Sequence, residues 1–321
     1  MEPVKSRWLQ SCGARLREFF VHEFSWRGLG FSHTRPSDFT DSQWLWMRPW
    51  LFIVYRVLLA IGFIIWLSLD IPREIHNYYE DRTYIWFLYA TNWAFGMLAL
   101  TFFLLAIFSL VYNCPRRPDE RIILYQPLWF LYTISTNGSI VASSVFWIAL
   151  SSSHLGVFSS QLGRLKHSLT AVLAVLDLCL SAIPIRLIHV IYPILVGILY
   201  SLCSYLFWLS GIQGPLNVGQ VYPGLNWTHP RTAVLTCLSV ILFSFLIQIF
   251  LYLVYYSRVK LSSILNGRGC APPFAVKTKS IYGELGTSET GDVDNPDDLL
   301  SVNSMSTCME TKTGRDYGAV E

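Results

Sequence analysis

Charge is what this sequence has least of. Only 14% of its 321 residues are Asp, Glu, Lys or Arg, against about a quarter in a soluble domain. The shortage is concentrated, and residues 84–112, 187–230 and 232–257 contain none at all. Runs of that length exclude an ordinary soluble surface and read as membrane-spanning helices. Cysteine offers no framework either: Cys12, Cys114, Cys179, Cys203, Cys237, Cys270 and Cys308 are scattered, with no CxxC pair. A disulfide scaffold and a cysteine zinc site are therefore not expected. There is no GxSxG elbow, HExxH, P-loop or dinucleotide fingerprint. Soluble hydrolase, metalloprotease and nucleotide-dependent readings lose their support, and no metal, cofactor, nucleotide or nucleic-acid partner is expected. A cleavable signal peptide is also missing from the reading. The first 45 residues are polar and basic, so the first apolar span is expected to act as an uncleaved signal anchor.

What is present is a series of apolar runs. They predict an all-α membrane protein, a six-transmembrane-helix bundle with spans at Trp50–Leu69, Tyr84–Tyr112, Leu128–Leu150, Leu169–Ile188, Val190–Ser210 and Thr232–Ser257. Residues 1–49 read as a basic N-terminal segment, 50–257 as the membrane domain, and 258–321 as a tail. The tail is rich in small polar residues, as in GDVDNPDD (291–298), and cannot bury a core, which predicts disorder. The fourth and fifth spans meet so closely at Arg186 and His189, between Pro184 and Pro193, that a hairpin is expected. Lys and Arg gather in the N-terminal segment, after the second span, at the fourth-to-fifth turn and at the start of the tail. The positive-inside rule then places both termini in the cytosol, in the plasma membrane or the endoplasmic reticulum. Asn226-Trp227-Thr228 is a candidate glycosylation sequon in the last outer loop.

Polar groups inside spans are costly and are functional candidates by default. Here they are Arg56, Thr91, Asn92, Asn137, His167, Asp177, His189 and Gln248. At about 1.5 Å per residue, Thr91 lies roughly 10 Å below the outer surface and His167 shares that zone, with Asp177 about 15 Å deeper. Each also has a packing reading: Thr91 and Asn92 as hydrogen bonds between helices, His167 as an interfacial residue, Arg56 with Asp177 as a buried pair. Arg56 has the further alternative of reaching out to lipid phosphates.

The stretches WFLYATNWAF (86–95), HSLTAVLAVLDL (167–178), IPIRLIHVIYP (183–193), GILYSLCSYLFWLSG (197–211) and VYPGLNW (221–227) resemble the rolling stone family. These are animal multipass membrane proteins named for a fly protein implicated in myoblast fusion. The resemblance implies the membrane fold and a role in cell fusion or differentiation. A fainter similarity reaches the androgen-induced and androgen-dependent membrane hydrolases of fatty acid esters. It implies an intramembrane nucleophile at Thr91 and a histidine at His167, ten residues before the acidic Asp177.

Two functions from different classes follow. One is a non-catalytic membrane protein acting with other membrane proteins in cis. The other is an intramembrane lipid ester hydrolase, in which His167 takes the Thr91 proton and Asn92 or a free N–H holds the oxyanion. Membrane lipids are the expected surroundings of both. A transporter is the less favoured third reading, because no internal repeat is visible.

Overall fold

The computed structural model describes residues 21, 23–33, 35–113, 124–151 and 156–265. The described residues form helices joined by loops, with three isolated antiparallel bridges. The main helices are α1 (Pro49–Tyr78), α2 (Tyr84–Leu88), α3 (Ala90–Tyr112), α4 (Tyr125–Val145), α5 (Gln161–Leu180), α6 (Ile191–Leu209) and α7 (Pro230–Ile264). Proline opens α1 and α7, where its missing N–H costs nothing and its fixed φ suits the first turn. α4 runs on through a wider π turn, Phe146–Leu150.

Helix α4 is the centre of the bundle and packs on α3, α5, α6 and α7, while α1 lies against α3. The core is aromatic. Phe63 meets Phe102 at 4.9 Å between ring centroids, and Trp66 meets Phe95 at 5.2 Å. The outward faces are apolar too, with Leu58, Ile65, Leu195, Leu199, Leu238 and Leu242 all exposed. Apolar outside as well as inside is the pattern of a helix bundle solvated by lipid. Five helical stretches are long and apolar enough to cross a membrane: Pro49–Tyr78, Ala90–Tyr112, Tyr125–Leu150, Ile188–Leu209 and Pro230–Ile264.

The expected fourth span is displaced. Its helix is Gln161–Leu180, eight residues earlier than expected at each end, and it is not among those five. Its start is fixed by Ser160, whose side chain accepts from the Gly163 N–H, a normal N-cap. Its end is fixed by Pro184, which cannot continue a helix and pushes the preceding residue toward extended backbone. Residues 181–187 consequently run outside any helix. α5 packs on α4 and α7, and α6 on α4 and α7, so the two form no tightly packed hairpin. The expected second span is broken in two, and α1 runs two turns past its expected end. The tail expected from 258 opens as the last turns of α7, with Arg258 buried. The tail beyond Leu265 lies outside the described residues.

The bundle has a near end, holding the described residues between 21 and 48, and a far end, holding the α1–α2 and α6–α7 connections, the end of α4 and the start of α5. At the near end the last carbonyls of α5 would be orphaned by its abrupt stop. Leu178 O accepts from Arg258 at 2.5 Å, Cys179 O from Trp44 Nε1 at 2.8 Å, and Leu180 O from Ser42 Oγ at 2.9 Å and the Gln43 N–H at 3.0 Å. Arg258 caps α5 from α7, and Trp44, Ser42 and Gln43 dock the N-terminal segment onto the bundle.

Candidate functional site

The WFLYATNWAF stretch places Thr-Asn inside an aromatic run because the helix breaks there. Tyr89 is extended, with φ −84 and ψ 121, between α2 and α3. A break frees carbonyls that lipid cannot satisfy, and side chains meet them. Asn92 Nδ2 donates to Trp86 O at 2.9 Å, Trp93 Nε1 to Phe87 O at 2.6 Å, and the Tyr200 hydroxyl to Leu88 O at 2.7 Å. Asn92 is thus the lock of the break. Thr91 points elsewhere. It lines an apolar cavity of about 300 Å³ between α3, α4, α6 and α7, and its N–H reaches the Tyr222 hydroxyl at 3.5 Å. Burial pushes the Tyr222 phenol up to about 12, against the pull of its hydrogen bonds to Thr91, so it stays a neutral hydroxyl at physiological pH.

His167 is buried on α5, its ring stacked on Phe146 at 4.0 Å between centroids. Its carbonyl accepts from Ser143 of α4. No hydrogen bond joins Thr91 to His167 among the described residues, and His167 is not part of the cavity wall. The expectation that these helices meet at one level is nevertheless met by their neighbours: Lys166 Nζ lies 2.7 Å from Asn92 Oδ1. One residue along a helix turns about 100°, so facing Asn92 and Lys166 leave Thr91 and His167 on other faces.

Lys166 is the hub of a buried charge network that sequence reasoning missed. Its Nζ lies 2.5 Å from Asp70 Oδ2 and 3.1 Å from Glu74 Oε1, both on the last turns of α1. Arg73 adds 2.8 Å to Asp70, and the Tyr79 hydroxyl donates to Glu74 at 3.1 Å. Asp70 and Glu74, four apart on one helix face, were the available signal. Reading α1 as ending at Leu69 hid it.

Toward the near end Asp177 accepts from Arg56 and from the Tyr55 hydroxyl at 3.1 Å. Arg56 and Asp177 are 1% and 0% exposed, which settles the pairing and excludes a reach to lipid phosphates. Arg56 also lies 4.8 Å over the Phe52 ring. Asn137 Nδ2 donates to Gln248 Oε1 at 3.0 Å, and the Ser244 hydroxyl donates to Asn137 Oδ1 at 2.8 Å, tying α4 to α7. His189 Nε2 sits 3.1 Å from Gly28 O, with its ring 4.9 Å from Trp129, and holds the N-terminal segment against α6. Asn226 lies in the loop before α7, where its Oδ1 accepts from the Thr228 N–H and hydroxyl.

The model of the family described as Protein rolling stone matches residues 15–269. Protein rolling stone of Drosophila melanogaster is 22% identical over 260 residues, covering 77% of this chain and 91% of that protein. No solved structure matches the chain. Three of the stretches quoted above as resembling rolling stone proteins hold the α2–α3 break with Asn92, Asp177 as the partner of Arg56 on α1, and the near-end turn with His189. Five membrane-length apolar helices and a family match over most of the sequence lead to one conclusion: this chain is an integral membrane protein that belongs to the rolling stone family.

Proposed function

We propose that the protein acts in cell fusion or differentiation as a non-catalytic, six-span membrane protein that works with other membrane proteins in cis. The observation that carries this reading is the use made of the polar groups within the bundle. Asn92, Asn137, Asp177, Arg56 and Lys166 each bind a group on another helix, which is what polar residues in membrane bundles do as connectors. The far-end connections, of which Ser210–His229 is the longest described, are too short to be an adhesion domain. Association within one membrane is the simpler mode.

α5 is the sixth span in this proposal. Its twenty residues would rise about 30 Å, the thickness of the hydrocarbon core. Its buried charges, Lys166 and Asp177, have partners on α1 that reduce the cost of burial, and its third charge, Arg164, is exposed in the first turn. The near end is cytosolic. It carries Arg27, Arg35, Arg48, Arg186, Arg258 and Lys260, and the segments joining it add Lys5, Arg7, Arg15, Arg17, Arg116, Arg117 and Arg121. The far end carries Arg73, Arg82, Arg164, Lys166 and Arg231, fewer than the near end and its joining segments together, and of these Lys166 is buried and Arg73 is paired.

One observation favours the hydrolase reading as a second choice: Thr91 opens on an apolar cavity. The non-catalytic reading is preferred because no base touches Thr91 among the described residues. A rescue assay separates them. Fly myoblasts depleted of rolling stone are expected to regain multinucleate fibres when this chain is expressed at their surface. A Thr91→Ala, His167→Ala double variant should rescue equally well. Rescue by the wild type alone would favour the hydrolase, and failure of both surface-expressed proteins would count against the fusion role.

A further inference from the structure

The cavity beside Thr91 has no task in the reading above. It is long for its size. Its wall on α4 runs from Ile134 to Leu150, a rise of roughly 24 Å, for a volume of about 300 Å³. That shape is a tunnel. Small side chains keep it open: Gly138 and Ala142 lie on α4, and a Cβ added at Gly197 of α6 would meet nothing within 4 Å.

Most polar atoms of the wall away from Thr91 and Tyr222 are already engaged. The Tyr200 hydroxyl is bound to Leu88 O, Ser201 to Gly197 O at 2.9 Å, and Asn137 to Ser244 and Gln248. A sugar or an amino acid would find few groups to bind, and its own polar atoms would be desolvated without return. An apolar chain loses nothing by entering. At the far end of the tunnel stands one hydroxyl pair, Thr91 and Tyr222, suited to an ester or carboxyl group. The outer faces of α6 and α7 are apolar, so the medium around the tunnel is rich in acyl chains.

We propose that this tunnel binds one linear acyl chain, its polar head at Thr91 and Tyr222 and its methyl end toward Pro193 and Ser244. The assignment is independent of cell fusion and needs no bond to break. Chain and head together come either from a bilayer phospholipid or from a free fatty acid.

The test is photo-crosslinking of the full-length protein in nanodiscs. One arm contains phosphatidylcholine with a mid-chain diazirine, and the other contains a diazirine fatty acid. Adducts are expected on Val141, Ala142 or Val145 in at least one arm, and which arm shows them names the source. Gly197→Phe should lower that yield by about tenfold or more by filling the site. Leu199→Phe, on the outer face of α6, should leave it unchanged. Adducts confined to outward residues such as Leu199 and Leu238 in the wild type would overturn the proposal, and this map stands whether or not Gly197→Phe folds. Equal tunnel labelling in a folded Gly197→Phe protein would overturn it as well.

Discussion

An Asp177→Ala protein is expected to lose about 3–5 kcal/mol of stability, a drop on the order of 10 °C in the midpoint of thermal unfolding in detergent. The cause is what the substitution leaves behind. Arg56 is 1% exposed and lies among Phe52 and Tyr55, so losing its carboxylate strands a guanidinium in an apolar wall. The pair itself is worth far less than that loss, because burying two charges already costs desolvation that their attraction only offsets. The double variant Arg56→Met, Asp177→Leu should therefore recover most of the stability lost by either single change. An Asp177→Ala protein as stable as the wild type would remove Arg56–Asp177 from the account, and a double variant worse than both singles would show that the charges themselves are needed.

Lys166→Met is the second large effect. It leaves Asp70 and Glu74, each 2% exposed, with Arg73 as the remaining cation: 2.8 Å from Asp70 and 3.9 Å from Glu74. Asn92 loses its Lys166 contact in the same step and keeps its bond to Trp86 O. The expected cost is again about 3–5 kcal/mol, read as lower yield of monodisperse protein and a lower unfolding midpoint. Adding Glu74→Gln removes one stranded charge and should recover part of the loss. If Glu74→Gln made the Lys166→Met protein worse, the network would not be acting through charge balance.

The order and approximate places of most apolar helices were legible in the sequence, because a charge-free run of twenty or more residues admits few other structures, while the ends of α1, α5 and α7 were not. Rise per residue is nearly constant, and the neighbours of Thr91 and His167, Asn92 and Lys166, do meet. The facing of Thr91 and His167 was not legible. Rotation depends on which residues of two helices meet, and here the meeting pair is Asn92, one position after Thr91, and Lys166, one position before His167. The start of α5 was missed for a related reason. Arg164 and Lys166 read locally as an outer loop, and the partners that make Lys166 tolerable inside a bundle lie 96 and 92 residues away. The Tyr89 break left only a faint mark, the Thr-Asn pair itself. Arg258 looked like one more basic residue beside a span, whereas it caps α5 from α7.

The central claim is that the polar groups of this bundle are connectors between helices and not a reaction centre. Covalent labelling with a fluorophosphonate probe tests it most directly, on purified wild type, Thr91→Ala and His167→Ala proteins compared at equal folded amounts. The account predicts no adduct at Thr91 in a folded wild type that still shows its cooperative thermal transition. Labelling of Thr91 that disappears in both folded variants would contradict it and make the protein an intramembrane hydrolase.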